Sequence, residues 1–151
     1  MRSLYLIGGE ERQRESASMA FAGMNIVAIL VAAVAAFAWG AAYYMTLSKQ
    51  WLAAVGRVEP NKSPPPFIIS FVALIVMAWV LAGTIGHLGP GQVTLKNGII
   101  SALFIWVGFV ATTVFVNNAY PGRKYMLSVI DSIHWLGVLV IEGAVIGAMG
   151  V

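Results

Sequence analysis

No charged residue interrupts the chain between Glu15 and Lys49, and three further stretches of similar length are almost as free of charge. These runs constrain the fold more than anything else in the sequence. About 20 consecutive apolar residues cross the hydrocarbon core of a bilayer as a helix. Four such spans are predicted, over about residues 25–45, 67–86, 98–116 and 127–149. Only 10% of the 151 residues are charged, against about 25% in a soluble domain. The fold class is therefore all-α, a four-transmembrane-helix membrane bundle, with the lipid bilayer as its first partner. The net charge of +3 is too small to imply nucleic-acid binding. With no cysteine, thiolate chemistry and disulfides are excluded.

The domain division follows from the same pattern. Residues 1–23 form a polar head in which Arg2, Arg12 and Arg14 are offset by Glu10, Glu11 and Glu15. It has no apolar core of the kind a signal peptide needs, and Met24 is an alternative start. Residues 24–151 form the membrane domain. Trp39, Tyr43 and Tyr44 close the first span as an interfacial aromatic belt. In the loop that follows, Ser48 is placed to cap a short helix in which Trp51, Leu52 and Val55 share one side; such a helix lies in the membrane interface. Pro64-Pro65-Pro66, with Ser63 or Asn61 as cap, starts the second span. The cluster Gly83-Thr84-Ile85-Gly86-His87-Leu88-Gly89-Pro90-Gly91 reads as a turn, because it lacks the lysine of a phosphate-binding loop. Ser101, Thr112 and Thr113 can bond back to their own helix. Lys49, Arg57, Lys62, Arg123 and Lys124 fall in the loops after spans one and three. The positive-inside rule then puts those loops in the cytoplasm and both termini outside.

The last span carries the chemistry. Asp131, His134 and Glu142 are the ionisable side chains that lie within the long apolar runs, apart from Lys96 and His87 at their edges. Asp131 and Glu142 share one helix face, roughly 16 Å apart along the axis. A carboxylate in hydrocarbon costs several kcal/mol unless paired, neutralised or wetted, so this helix is expected to turn inward. Asp131 with His134 has two readings. One is a proton relay or cation site. The other is a first-turn acid favoured by the helix dipole, with His134 satisfied by Asn117 or Asn118 from the adjacent loop. Glu142 also has two: a proton-coupled transport site or cofactor contact, or a neutral acid hydrogen-bonded across helices or between subunits. Gly143 and Gly147 form a Gly-x-x-x-Gly pair suited to close helix packing. No metal site is expected, because His87 falls at the opposite membrane face from His134. Ser128 and Ser132 share a helix with Asp131 and His134, and cannot complete a catalytic triad there.

The run Asn25 to Leu30, continuing through Ala35-Ala36-Phe37-Ala38-Trp39-Gly40-Ala41-Ala42-Tyr43-Tyr44 to Lys49-Gln50-Trp51, is similar to a pattern in a known family. So is Val116-Asn117-Asn118-Ala119-Tyr120-Pro121-Gly122-Arg123 with Asp131-Ser132-Ile133-His134 and Gly143 to Gly147. Over about Met24 to Gly150 the chain resembles the bacterial domain-of-unknown-function family 1761, small integral membrane proteins. The resemblance implies four helices and a bacterial plasma (inner) membrane. It implies no activity and no cofactor.

The expected function is a non-enzymatic packing or accessory subunit of a homo-oligomer or larger membrane complex. In that reading another chain covers Glu142 and the small-residue face. The rival is a small proton- or ion-coupled permease or channel, with Glu142 and Asp131 in the pathway. A membrane enzyme acting on lipid has no nucleophile or metal set to support it.

Overall fold

The structure is a computed structural model that describes residues 24–59 and 63–150. The head expected over residues 1–23 and the candidate cap Asn61 lie outside these. The described residues are helical, with no strand among them. Helix α1 spans Ile26–Thr46, α2 Ser48–Val55, α3 Pro64–Gly86, α4 Leu95–Ala119 and α5 Tyr125–Met149. The four long ones are each long and apolar enough to cross a membrane.

Local chemistry sets the ends. The Asn25 side chain accepts a hydrogen bond from Ala28 N–H (3.0 Å), and Thr94 accepts one from Asn97 N–H (3.2 Å). Each satisfies an amide that the first helical turn leaves open. α3 begins at Pro64, earlier than the expected Phe67. Prolines suit a first turn, where no amide donor is needed. Ser48 does not cap α2. It is the first residue of that helix, which follows α1 after Leu47 alone. Gly56, at φ +80°, ends α2 in the left-handed region, and its N–H donates to Leu52 C=O. The turn after α3 starts only at His87, because the helix runs through Gly83 and Gly86.

α4 contains a π-helical stretch, Trp106–Ala111, that the sequence does not announce. The looser turn coincides with Trp106, whose Nε1–H donates to Ser132 C=O of α5 at 2.8 Å.

α5 is the hub. It packs against α1, α2, α3 and α4, whereas the backbones of α1 and α4 stay apart on either side of it. The interior is built largely from alanine: Ala28, Ala32, Ala33 and Ala36 of α1, Ala78 and Ala82 of α3, and Ala102 of α4. Small side chains bring helix backbones close, which is how helices hold together where the solvent is itself apolar. The closest approach is glycine on glycine. A Cβ at Gly98 would overlap the carbonyl of Gly143, and a Cβ at Gly143 would overlap that of Gly98. A Cβ at Gly147 would overlap the Thr94 carbonyl. The Gly143/Gly147 pair thus packs against the chain's own α4.

The outward faces are apolar throughout, with Ile68, Ile69, Val72 and Val80 exposed on α3 and Phe104, Val107 and Phe109 on α4. Hydroxyls on those faces bond back to their own helices: Ser70 to Pro66 C=O, Thr84 to Val80 C=O and Thr112 to Gly108 C=O. These three hydroxyls are satisfied within their own helices, as a hydrocarbon layer favours, whereas Thr113, also exposed on α4, makes no such bond. The protein is a multi-pass membrane protein.

Candidate functional site

The inward face of α5 carries its polar groups in two places. Asp131 is roughly 9 Å in from the Tyr125 end and Glu142 roughly 10 Å in from the Met149 end, at about 1.5 Å rise per residue. One carboxyl group therefore lies toward each end of the bundle. Between them the same face presents Trp135, Val138 and Leu139, the last two 0% and 2% exposed. This packed apolar segment separates the two acids.

At the first end, Asp131 is partnered from α1 and α2. Tyr44 Oη–H donates to Asp131 Oδ1 at 2.9 Å and Trp51 Nε1–H to the same oxygen at 3.2 Å. Two further aromatic donors from α1 grip the backbone alongside: Tyr43 Oη–H on Ile130 C=O (2.9 Å) and Trp39 Nε1–H on His134 C=O (3.1 Å). The indole of Trp39 lies over Gly137, where any side chain would overlap it. α2 is seated by Ala54 against Leu127 and Ile130, and by Lys124 Nζ–H donating to Ala53 C=O at 2.8 Å.

His134 is 8% exposed and sits in an aromatic surround. Its ring centroid is 4.6 Å from that of Tyr44, 5.0 Å from Trp135 and 5.7 Å from Tyr43. Its Nε2 lies against Gly40, leaving no room for a side chain there. Its Nδ1 has no hydrogen-bond partner. Asn117 and Asn118, expected as loop partners of His134, are instead in the last turns of α4. The groups around His134 come from α1 and from its own helix.

At the other end, Glu142 is 0% exposed, and neither carboxyl oxygen has a hydrogen-bond partner. Its neighbours one turn either way on the helix face are Leu139 and Ile146. Both belong to the core cluster formed with Ile29, Ala32, Ala78, Leu81, Ala82, Ile85 and Ala102. The buried residues of that cluster carry no side-chain donor, and the indole N–H of Trp106, which packs against it, donates to Ser132 C=O instead. Glu142 is enclosed by its own chain.

Tyr44, Trp51, Trp39, Tyr43 and Gly98 were not read from the sequence as parts of this face. Trp39 and Tyr43 carried a signal, since they are one helical turn apart and share a side of α1. Gly98 carried none, as an isolated glycine near a helix start has many meanings. Among the described residues, no three His, Asp or Glu side chains gather closely enough to hold a metal ion.

The model of a family described as "Protein of unknown function (DUF1761)" matches residues 27–147. No curated protein and no solved structure matches the chain.

Proposed function

The chain belongs to this family of membrane proteins of unknown function, and on that premise we propose that it is a small proton-coupled carrier in which Glu142 takes up and releases the proton. The observation behind this reading is the full burial of Glu142 with both oxygens unpartnered among alanine, leucine and isoleucine. An isolated carboxyl costs several kcal/mol in such surroundings, and an aliphatic side chain of the same size would stabilise the bundle. A local rule broken with no packing gain marks a site kept for chemistry. The chemistry of a carboxyl group without donors or metal is proton exchange.

Asp131 and Glu142, at opposite ends of the face and separated by Val138 and Leu139, supply the two stations a carrier needs. The packed segment between them is the barrier that keeps the two sides apart. Transport then requires the helices around α5 to part at one end at a time. The carrier is placed in a bacterial inner membrane and has no enzymatic step.

Proteoliposomes carrying an internal pH-sensitive dye test this. Wild type is expected to couple proton movement to solute flux. Glu142→Gln, which keeps the shape but cannot titrate, is expected to lose proton movement while still folding. Wild-type proton movement in Glu142→Gln would sink the proposal.

One observation favours an accessory subunit instead. α4 is the least buried of the four spans, with Phe104 and Phe109 both on its open side. Cross-linking from Phe104 in native membranes separates the readings: a repeated protein partner supports a subunit, and lipid alone supports a free carrier.

A further inference from the structure

The end of the bundle that carries α2 also gathers basic side chains on one side of that helix. α2 turns Trp51 and Ala54 toward α5, which leaves Lys49, Gln50 and Ala53 exposed, with Arg57 exposed just past its end. Lys49 precedes Ala53 by about one turn and Arg57 follows it by about one, so the three lie along one side. Lys124, from the turn before α5, reaches the middle of that side, where its Nζ–H donates to Ala53 C=O at 2.8 Å. Arg123 is its neighbour, held by its backbone N–H on Asn118 C=O at 2.9 Å, and Arg57 is held by its N–H on Leu52 C=O at 3.0 Å. Two segments 71 residues apart thus bring their cations to one patch.

The backbone is fixed at these points, and the charges are free. Among the described residues neither guanidinium has an acidic partner, and nor does Lys49. Glu59 is the one exposed acid beside them, since Asp131 is engaged by Tyr44 and Trp51. Gly56 and Gly122 flank the patch, and a Cβ at either would meet nothing within 4 Å, so the surface between the cations is open. The opposite end of the bundle offers Lys96 as its only lysine or arginine among the described residues. Charges spread around a rim would serve orientation alone. Gathered about one exposed stretch of backbone, they make a place for an anion.

Depth and apolar neighbours select the anion. α1 ends at Thr46, α4 ends at Ala119 and α5 begins at Tyr125, so the patch lies where the spans leave the hydrocarbon. Val58, 95% exposed, follows Arg57, and Tyr125, 71% exposed, follows Lys124. A soluble anion has no use for such side chains, whereas a phospholipid sets its phosphate directly beside apolar chain. We propose that Lys49, Arg57, Arg123 and Lys124, arranged about Ala53, bind the headgroup phosphate of an anionic phospholipid. Lys124 also holds the last carbonyls of α2, so the other three supply the free charge. The site and the carrier reading do not depend on each other.

The full chain in nanodiscs of equal parts phosphatidylglycerol and phosphatidylcholine is extracted into neutral detergent, and the lipid that stays bound is counted by mass spectrometry. Wild type is expected to keep phosphatidylglycerol over phosphatidylcholine by at least about tenfold. Lys49→Gln, Arg57→Gln and Arg123→Gln are each expected to lower that preference by up to about fivefold, and the three together to abolish it. All three side chains are exposed, so the variants are expected to unfold at the wild-type temperature. Arg57→Lys with Arg123→Lys keeps the charge and is expected to keep the preference. Lys96→Gln, at the opposite end, is expected to change nothing. Equal retention of the two lipids by wild type, an unchanged preference in the triple variant, or an equal loss in Lys96→Gln overturns the site. Displacement of the bound lipid by glycerol 3-phosphate would assign the patch to a soluble anion and overturn it as well.

Discussion

Asp131 and Glu142 are the same kind of group on the same helix face, and their surroundings differ. Asp131 has two donors on one oxygen and is only partly buried. Glu142 has neither donors nor exposure. Paired carboxylates are readily tolerated, and orphaned ones weaken a fold. Glu142→Leu is therefore expected to stabilise the protein by at least about 1 kcal/mol, read as a higher unfolding temperature in detergent. A lower unfolding temperature would show that Glu142 has a favourable partner in the native protein, and would remove the argument for its chemical role. His134 stands between these cases. Aromatic rings enclose it and α1 leaves it only a glycine's worth of space at Gly40, so its position is determined by packing more than by hydrogen bonds.

Among the elements, α5 and α4 meet through glycine, and α5 and α1 through aromatic donors. At Gly98 there is no space for even a methyl group, because the obstruction is the Gly143 backbone rather than a side chain that could turn aside. Gly98→Ala is expected to push α4 away from α5 and lower stability by about 1–3 kcal/mol. Gly83→Ala, on α3 with open space around it, is expected to be neutral or mildly stabilising. Thermal unfolding of the two variants side by side checks the contact. Equal behaviour would mean that the glycine approach does not hold these helices. The α1 interface works differently. Trp39 and Tyr43 donate to backbone carbonyls of α5, and in an apolar medium such bonds have no water to compete with them. Sequence reading treated these residues as interfacial anchors. Their composition does suit that role, and only their partners show that they also pin one helix to another.

For the whole molecule, four spans put both ends of the membrane domain and the turn after α3 on one side. α2 and the turn after α4 are on the other. By the positive-inside rule, the excess of lysine and arginine beside α2 and in the turn before α5 predicts that this second side faces the cytoplasm. The absence of native cysteine makes this easy to check. With single cysteines at Leu88 and Tyr120, both exposed, an impermeant maleimide is expected to label Leu88→Cys in intact cells and Tyr120→Cys only after permeabilisation. The opposite pattern would invert this orientation and put the Asp131 end on the outside.

The sequence by itself determined that the chain crosses a membrane four times, and where. In hydrocarbon each segment must satisfy its own backbone, so the length and polarity of a run decide the matter locally. It also determined that the last span turns inward, because two carboxyl groups on one face have no other place to go. Only the tertiary structure decided what they meet there. The groups that hold Asp131 are 80 and 87 residues away, and no spacing rule connects them. Whether Glu142 meets a partner across helices or in a second chain was open in the sequence; in the structure its own alanine-lined helices close over it, and neither oxygen has a hydrogen-bond partner. The small residues that made an assembly surface plausible are spent within the chain, where glycine faces glycine. That choice depends on which helix faces converge, a property of three-dimensional packing that apolar composition leaves undecided.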